Sequence, residues 1–454
     1  MTEGSLGAPT RHALDWTNPD FYDLEKLEAE ERRVFDICHG CRRCFNLCDS
    51  FPRLFDMIDA TPSGELHDVP ASEFGKVAAA CTLCDMCFMT KCPYVPPHEF
   101  NLDFPHLMLR RRAIEHKNGE VPFAVSQLTE TDRNGKLAGA IAPLANWASD
   151  RANGLTRPVL EAAGGVHRDA ELPKFYGKTF VARAESNTPA RDTAAPAKAR
   201  KAAIFATCFV NYNNPTIGEA ALGVLAKNGV ETQVVYPGCC GMPQLENGDL
   251  ARVAESAKRI AGEFKSWIEK GYDVIALTPS CALMLKFEWP LLLPDDEDVK
   301  RLSKATWDIS EYVIDIAKKE GLATGLQPLG GGVSLHFACH SRAQNMGNKA
   351  AEMLRLIPES DVTVIERCSG HGGSWGIRKE NFDIALKVGK PVARAAAEQA
   401  KAFVASECPL AGKHVVQGAQ KLIAQSAKKI AGDSMKVDHS THPIEIFAKA
   451  YGLK

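Results

Sequence analysis

The sequence predicts an α/β protein: an α-helical N-terminal part followed by a duplicated, parallel βα cysteine-rich domain. Three observations predict it. Eight of the fifteen cysteines fall between Cys38 and Cys92 in two closely spaced runs. Short apolar strands alternate with helices from Ala202 onward, the rhythm of βα units on a parallel sheet. Cysteines mark the strand ends at matching intervals in two successive stretches of chain.

At 454 residues the chain is long enough for two or three domains with substantial cores. Lysine plus arginine (54) nearly balances aspartate plus glutamate (56), so no field favours nucleic acid or an anionic membrane. The run Arg110-Arg111-Arg112 is read as a solvated helix face. Residues 1–20 form a polar N-terminal tail without the apolar core of a signal peptide. No stretch reaches the ~18 uncharged apolar residues of a spanning helix. The expectation is a soluble, cytoplasmic protein, in whose reducing surroundings clustered thiols serve metal or redox chemistry rather than disulfides.

Phe21 to Ile37 reads as a charged lead-in helix, and cysteine loops with short helices continue to about His98. A two-cluster, ferredoxin-type domain is expected over 21–110. A connecting region, 111–183, follows a helix near Leu107–His116 and carries no assignable chemistry. The stretch 184–200, poor in large apolar residues, reads as a flexible linker. Beyond it, 201–325 holds strands at Ala202–Thr207, Glu231–Tyr236 and Asp273–Leu277. Helices fall at Gly218–Lys227, at Asp249–Lys270 and from Ala282. The order returns in 326–454, with strands at Val333–Ala338, Val362–Ile365 and Ala402–Ala405 and helices at Lys349–Leu356 and Lys379–Gln399. Cys208, Cys239 and Cys281 are separated by 31 and 42 residues, and Cys339, Cys368 and Cys408 by 29 and 40. Such parallel spacing predicts an internal duplication, with each cysteine at the carboxyl end of a parallel sheet, where α/β folds build their sites.

Cys38, Cys41, Cys44 and Cys48 follow C-x2-C-x2-C-x3-C, and Cys81, Cys84, Cys87 and Cys92 follow C-x2-C-x2-C-x4-C with Pro93 next. Three thiols two residues apart let one loop wrap three corners of a 4Fe–4S cubane, while the fourth ligand comes from elsewhere. In two-cluster ferredoxins it comes from the other motif. The expected sets are therefore Cys38, Cys41, Cys44 and Cys92, and Cys81, Cys84, Cys87 and Cys48. Tetrahedral zinc also uses paired C-x2-C motifs, but a third cysteine three residues on belongs to a cubane. Cys48 precedes Asp49 rather than proline, and the spacing before Cys92 is one residue long.

Cys239-Cys240-Gly241 sets two thiols side by side, and Cys208 and Cys281 complete a four-thiolate set expected to hold a metal or redox centre; the alternative is inert buried cysteine. Thr207-Cys208-Phe209-Val210-Asn211-Tyr212-Asn213-Asn214-Pro215, Cys239-Cys240-Gly241-Met242-Pro243 and Thr278-Pro279-Ser280-Cys281 resemble the cysteine-rich CCG domain family. That family includes heterodisulfide reductase subunits, glycolate and lactate oxidase iron–sulfur subunits, and, resembling this chain most, the C subunit of anaerobic glycerol-3-phosphate dehydrogenase. The resemblance implies an iron–sulfur oxidoreductase that passes electrons between a dehydrogenase and quinone, or reduces a disulfide on an unusual cluster held by the CCG cysteines.

The second copy departs from the pattern. Ser369 stands where the second adjacent cysteine is expected, and Cys281 and Cys408 each lack a C-x2-C partner. Cys339, Cys368 and Cys408 are three thiolates, too few to close a four-ligand site, and His340 or His371 is a candidate fourth ligand. Catalytic candidates are Cys239 and Cys240.

Three functions are carried forward. One is an electron-transfer subunit relaying electrons through two 4Fe–4S clusters between a flavoprotein dehydrogenase or reductase partner and quinone or another acceptor. The second is a disulfide or thiol reductase acting at a CCG-bound centre. The third is a zinc-stabilised scaffold. No dinucleotide fingerprint stands at a strand–helix junction, since Gly330-Gly331-Gly332 precedes a strand. Peripheral attachment to the inner face of the cell membrane is entertained, with Val416–Lys429 as an amphipathic candidate.

Overall fold

The computed structural model describes residues 9–426 and 437–453. Two four-stranded parallel sheets organise the C-terminal half. The first contains β1 (Lys201–Phe205), β2 (Glu231–Val235), β3 (Asp273–Ala276) and β4 (Thr306–Asp308), in the order β2-β1-β3-β4. The second contains β5 (Val333–His336), β6 (Val362–Ile365), β7 (Phe403–Ser406) and β8 (Ser440–Thr441), in the equivalent order β6-β5-β7-β8. Ala202, Ala203, Ile204 and Phe205 are all fully buried, as expected of a central strand with helices on both faces. β4 and β8 carry no apolar run, and the sequence pattern did not reveal them. They form because their neighbours leave an open sheet edge: Val274 pairs with Thr306, and Val404 with Ser440.

Every regular element before β1 is helical among the described residues, apart from one isolated bridge. The lead-in helix runs Leu24–Cys41, reaching Cys38 and Cys41 themselves, and Asp23 caps it by accepting from Lys26 N–H. Its inner face buries Leu27, Val34 and Phe35. Phe35 meets Phe74 edge-on at 5.1 Å, and Phe51 lies 4.6 Å from Phe104. The connecting region folds into helices Phe123–Thr129, Thr131–Ala140, Ala142–Ser149 and Thr156–Gly164. Phe123, Leu137, Ile141, Leu144, Trp147, Leu155 and Val159 stand exposed in this region.

One hydrophobic core joins the N-terminal helices to one face of the first sheet; a second joins the two sheets, holding Ile204 and Ile275 with Leu335 and Ala405. Residues 9–16 lie across the surface rather than trailing from it. Leu14 N–H donates to Leu291 O at 2.8 Å and Trp16 Nε1 to Leu292 O at 2.8 Å. Within 184–200, Ala195 and Ala197 are buried and Ala197 N–H donates to Asn228 O at 3.1 Å, so this stretch packs along the first repeat.

The arginine run corrects an expectation. Arg110 donates to Phe21 O, and Arg111 is buried against the fully buried Glu31, with Nε to Oε1 at 2.6 Å. Arg112 donates to Glu246 O and Ala78 O at 2.8 and 2.7 Å. Three successive cations turn inward because buried carbonyls and one buried carboxylate need donors there. The amphipathic candidate is corrected as well: on the helix Pro409–Ser426, Val416 and Ala419 are buried, and Leu422 and Ile423 pack against the same cluster. Its last stretch, 427–429, lies outside the described residues. No helix among the described residues is long and apolar enough to cross a membrane.

Candidate redox centres

The helix Leu24–Cys41 ends in a left-handed Arg42, turning the chain so that Cys41 and Cys44 follow Cys38 around one loop. The second loop, Cys81 to Cys87, needs two further left-handed residues, Leu83 (φ 46°) and Asp85 (φ 63°). Their conformation is strained for non-glycine residues and fits a loop that wraps a fixed object.

The thiols group by mutual influence. Burial pushes the Cys38 thiol well up, and its charged neighbours are Cys92, Cys44 and Cys41. Burial raises Cys48 likewise, with Cys84 and Cys81 as neighbours. Cys87 sits among Cys84, Cys81, Cys44 and Cys48, so the two groups adjoin. Cys44 and Cys84 are each pushed up to about 12, burial first and neighbouring cysteines next. Backbone N–H groups aim at the sulfurs: Tyr94 and Val95 at Cys92, Met86 at Cys84, Leu83 at Cys81 and Ser50 at Cys48.

In the first repeat, the helix Cys208–Tyr212 begins directly after β1, and Thr207 caps it from a left-handed conformation (φ 50°). Cys208 and Cys239 sulfurs lie 3.6 Å apart, and Cys239 and Cys281 neighbour Cys240, so four thiols gather here. The contact with Cys208 and the Gly241 N–H donated to its sulfur at 3.5 Å act to lower the Cys239 thiol against burial.

Sequence reasoning found no chemistry in the connecting region, yet the helix Thr131–Ala140 delivers two residues here. Asp132 Oδ2 accepts from Cys239 N–H at 2.9 Å, and Oδ1 accepts from the Tyr236 hydroxyl. Thr131 Oγ1 is buried beside Cys208 and Cys239. Neither residue belongs to a spacing motif; only the tertiary contact identifies them.

In the second repeat, the helix Cys339–Ala343 follows β5 as Cys208–Tyr212 follows β1. Cys408 instead precedes its helix, whereas Cys281 lies inside one. Cys339 neighbours Cys368 and Cys408 and also Cys84 of the N-terminal part. This junction is held by Trp375, whose indole N–H donates to Ala79 O at 2.9 Å. Gly370 N–H lies 3.3 Å from Cys368 Sγ. Both ring nitrogens of His371 are buried without a hydrogen-bond partner, and burial together with His414 pushes its pKa down to about 3. His340 Nε2 is also buried and unpartnered. These buried, unpartnered ring nitrogens are candidate donors for a metal.

The donor sets fit iron–sulfur chemistry. Crowded, buried thiolates are costly unless cationic metal stands among them. Among the described residues no three His, Cys, Asp or Glu side chains converge tightly enough to hold one metal ion.

Residues 202–286 match the family model of the cysteine-rich CCG domain. Over 291 residues, 62% of this chain and 69% of the relative, the sequence is 28% identical to the C subunit of the anaerobic glycerol-3-phosphate dehydrogenase of Escherichia coli (strain K12). It is also 26% identical over 189 residues to lactate utilization protein A of Bacillus pumilus, covering 39% of this chain and 75% of that one. The same protein of Bacillus velezensis is 23% identical over 219 residues, 46% and 87% of the two chains.

Proposed function

We propose that this chain is an iron–sulfur electron-transfer subunit, relaying electrons between a dehydrogenase or reductase partner and an acceptor such as quinone on the cytoplasmic side of the membrane. What supports this reading is the neighbourhood of Cys92 with Cys38, Cys41 and Cys44, and of Cys48 with Cys81 and Cys84. Each set would hold one 4Fe–4S cluster, which when bound supplies a one-electron redox centre. Similarity to a dehydrogenase subunit supports a redox partner.

The chain's own residues prepare the sites. The N–H groups aimed at Cys92, Cys84, Cys81 and Cys48 stabilise negative charge on sulfur and so help set potential. Arg112, hydrogen-bonded to the carbonyls of Ala78 and Cys81, places positive charge behind the second loop. The apolar shell of Phe35, Phe51, Phe55 and Phe74 excludes water from this part. In the first repeat, Cys208, Cys239, Cys240 and Cys281 would hold a further centre, with Asp132 fixing the Cys239 backbone. In the second, Cys339, Cys368 and Cys408 would bind with His371 or His340 as fourth donor.

Anaerobic purification followed by iron and acid-labile sulfide analysis tests the reading. About eight of each per chain, or more, with low-temperature paramagnetic signals on reduction, is expected for two cubanes. Protein devoid of inorganic sulfide would end it.

The close approach of thiols in the first repeat, with the Cys208 and Cys239 sulfurs 3.6 Å apart, favours a second reading, a disulfide reductase. A thiolate is the attacking form of sulfur. Two electrons and two protons would then convert a substrate disulfide to two thiols. Under this reading Cys239→Ser abolishes disulfide turnover while the N-terminal signals persist; full turnover in that variant would exclude it.

A further inference from the structure

A cleft of about 610 Å³ opens between the N-terminal cysteine loops and the second repeat, with Cys48 and Cys368 in its wall. Three cations, Lys91, Arg342 and Arg367, line it together with Arg43 and the carboxylate of Glu366, which pairs with Arg342 at 3.3 Å. The cations stand beside the sulfurs: Arg43 and Lys91 by Cys44, and Arg342 by Cys368. Cys48 of the N-terminal loops and Cys368 of the second repeat therefore share the wall of one opening. Nothing in the relay described above uses these side chains.

The chain as a whole is nearly neutral, with 54 basic and 56 acidic residues, so an excess of cations here is local. Phe45, 47% exposed, lies in the same wall and gives the patch an apolar contact within a charged surround, as protein interfaces have. Local charge of one sign raises encounter rates with a partner of the other sign by about 10- to 1,000-fold, an advantage that salt removes.

We propose that this cleft is the docking site of an electron-transfer protein whose redox group is ringed by acidic residues. This rests on the electron-transfer reading and adds the partner's chemistry and the point where the electron enters. One electron leaves the docked partner, which is oxidised, and is taken up at the cysteine-held centres, which are reduced.

The test uses the anaerobically purified, iron-loaded full chain and two donors in stopped flow: a reduced flavodoxin, which is an acidic protein, and the small methyl viologen radical cation. The flavodoxin rate is expected to fall about tenfold or more between about 10 mM and about 500 mM salt. In the double variant Lys91→Glu with Arg367→Glu, it is expected to fall about tenfold at low salt, while the viologen rate rises because repulsion is relieved. Iron and sulfide content is measured on both proteins first. Equal flavodoxin rates in wild type and variant, or a rate indifferent to salt, with iron intact overturns the docking site alone. Inhibition of both donors alike by sulfate would likewise overturn it, showing a small-anion site instead. Absence of iron from the wild type would overturn the relay itself, and the docking site with it.

Discussion

Asp132 stands outside every cysteine motif yet holds the backbone of Cys239 and the hydroxyl of Tyr236. Asp132→Ala leaves two donors unpaired and is expected to cost about 1–3 kcal/mol, read from anaerobic urea unfolding. Arg11 is a second such residue. Its guanidinium reaches Asp85 at 2.7 Å, Asp103 at 2.8 Å and Glu288 at 3.2 Å, bridging the second cysteine loop, the following helix and the first repeat. Arg11→Met strands these carboxylates and is expected to destabilise by about 3–5 kcal/mol at neutral pH. The pH dependence has a definite sign. Burial alone would raise the Asp103 carboxyl, but His106 and Arg11 outweigh it and hold it down at about 2. Its stabilisation is complete above the unfolded value near 3.8 and is lost as pH falls through that value toward 2. The gap between wild type and Arg11→Met should therefore narrow over the same interval in urea titrations.

Among elements, the turn after the second strand of each repeat has a common requirement. Gly241 follows Cys239-Cys240 at φ 85°, and Gly370 follows Cys368-Ser369 at φ 78°. The turn survives the change of cysteine to serine because the left-handed backbone, not the thiol, makes it. Space differs between the two. A Cβ at position 241 would sit 3.4 Å from Val253, in ordinary contact, whereas one at 370 would sit 2.0 Å from Ala385 O. Gly241→Ala is expected to cost only the backbone strain, about 1–2 kcal/mol. Gly370→Ala should cost more and displace Cys368, and comparative thermal unfolding of the two variants checks the order.

For the whole molecule, the apolar cores run across the repeats. Leu335 and Ala405 of the second sheet share a cluster with Ile204 and Ile275 of the first, and Cys239, Cys240 and Cys281 share one with Phe35 and Phe51. Anaerobic urea unfolding followed by visible absorbance and by tryptophan fluorescence should accordingly give coincident transitions. Well-separated midpoints would contradict a shared core. The cationic cleft also belongs to this scale, since its walls come from distant stretches of chain, Arg43 on one side and Arg367 on the other.

The sequence by itself determined the strand–helix alternation, its repetition in two equivalent sheets and the spacing of the cysteines. Each of these depends on periodicity or on spacing within one loop, which local backbone geometry translates directly into placement. Edge strands β4 and β8, the inward turn of Arg111 and the roles of Thr131, Asp132 and Arg11 were decided only by tertiary structure. Those residues act on partners far away in the chain, and no local pattern encodes which buried carbonyl, carboxylate or N–H will need them. The nearness of Cys339 to Cys84 is of the same kind: two loops 255 residues apart meet because their supporting helices and sheets pack together, not because either loop specifies the other.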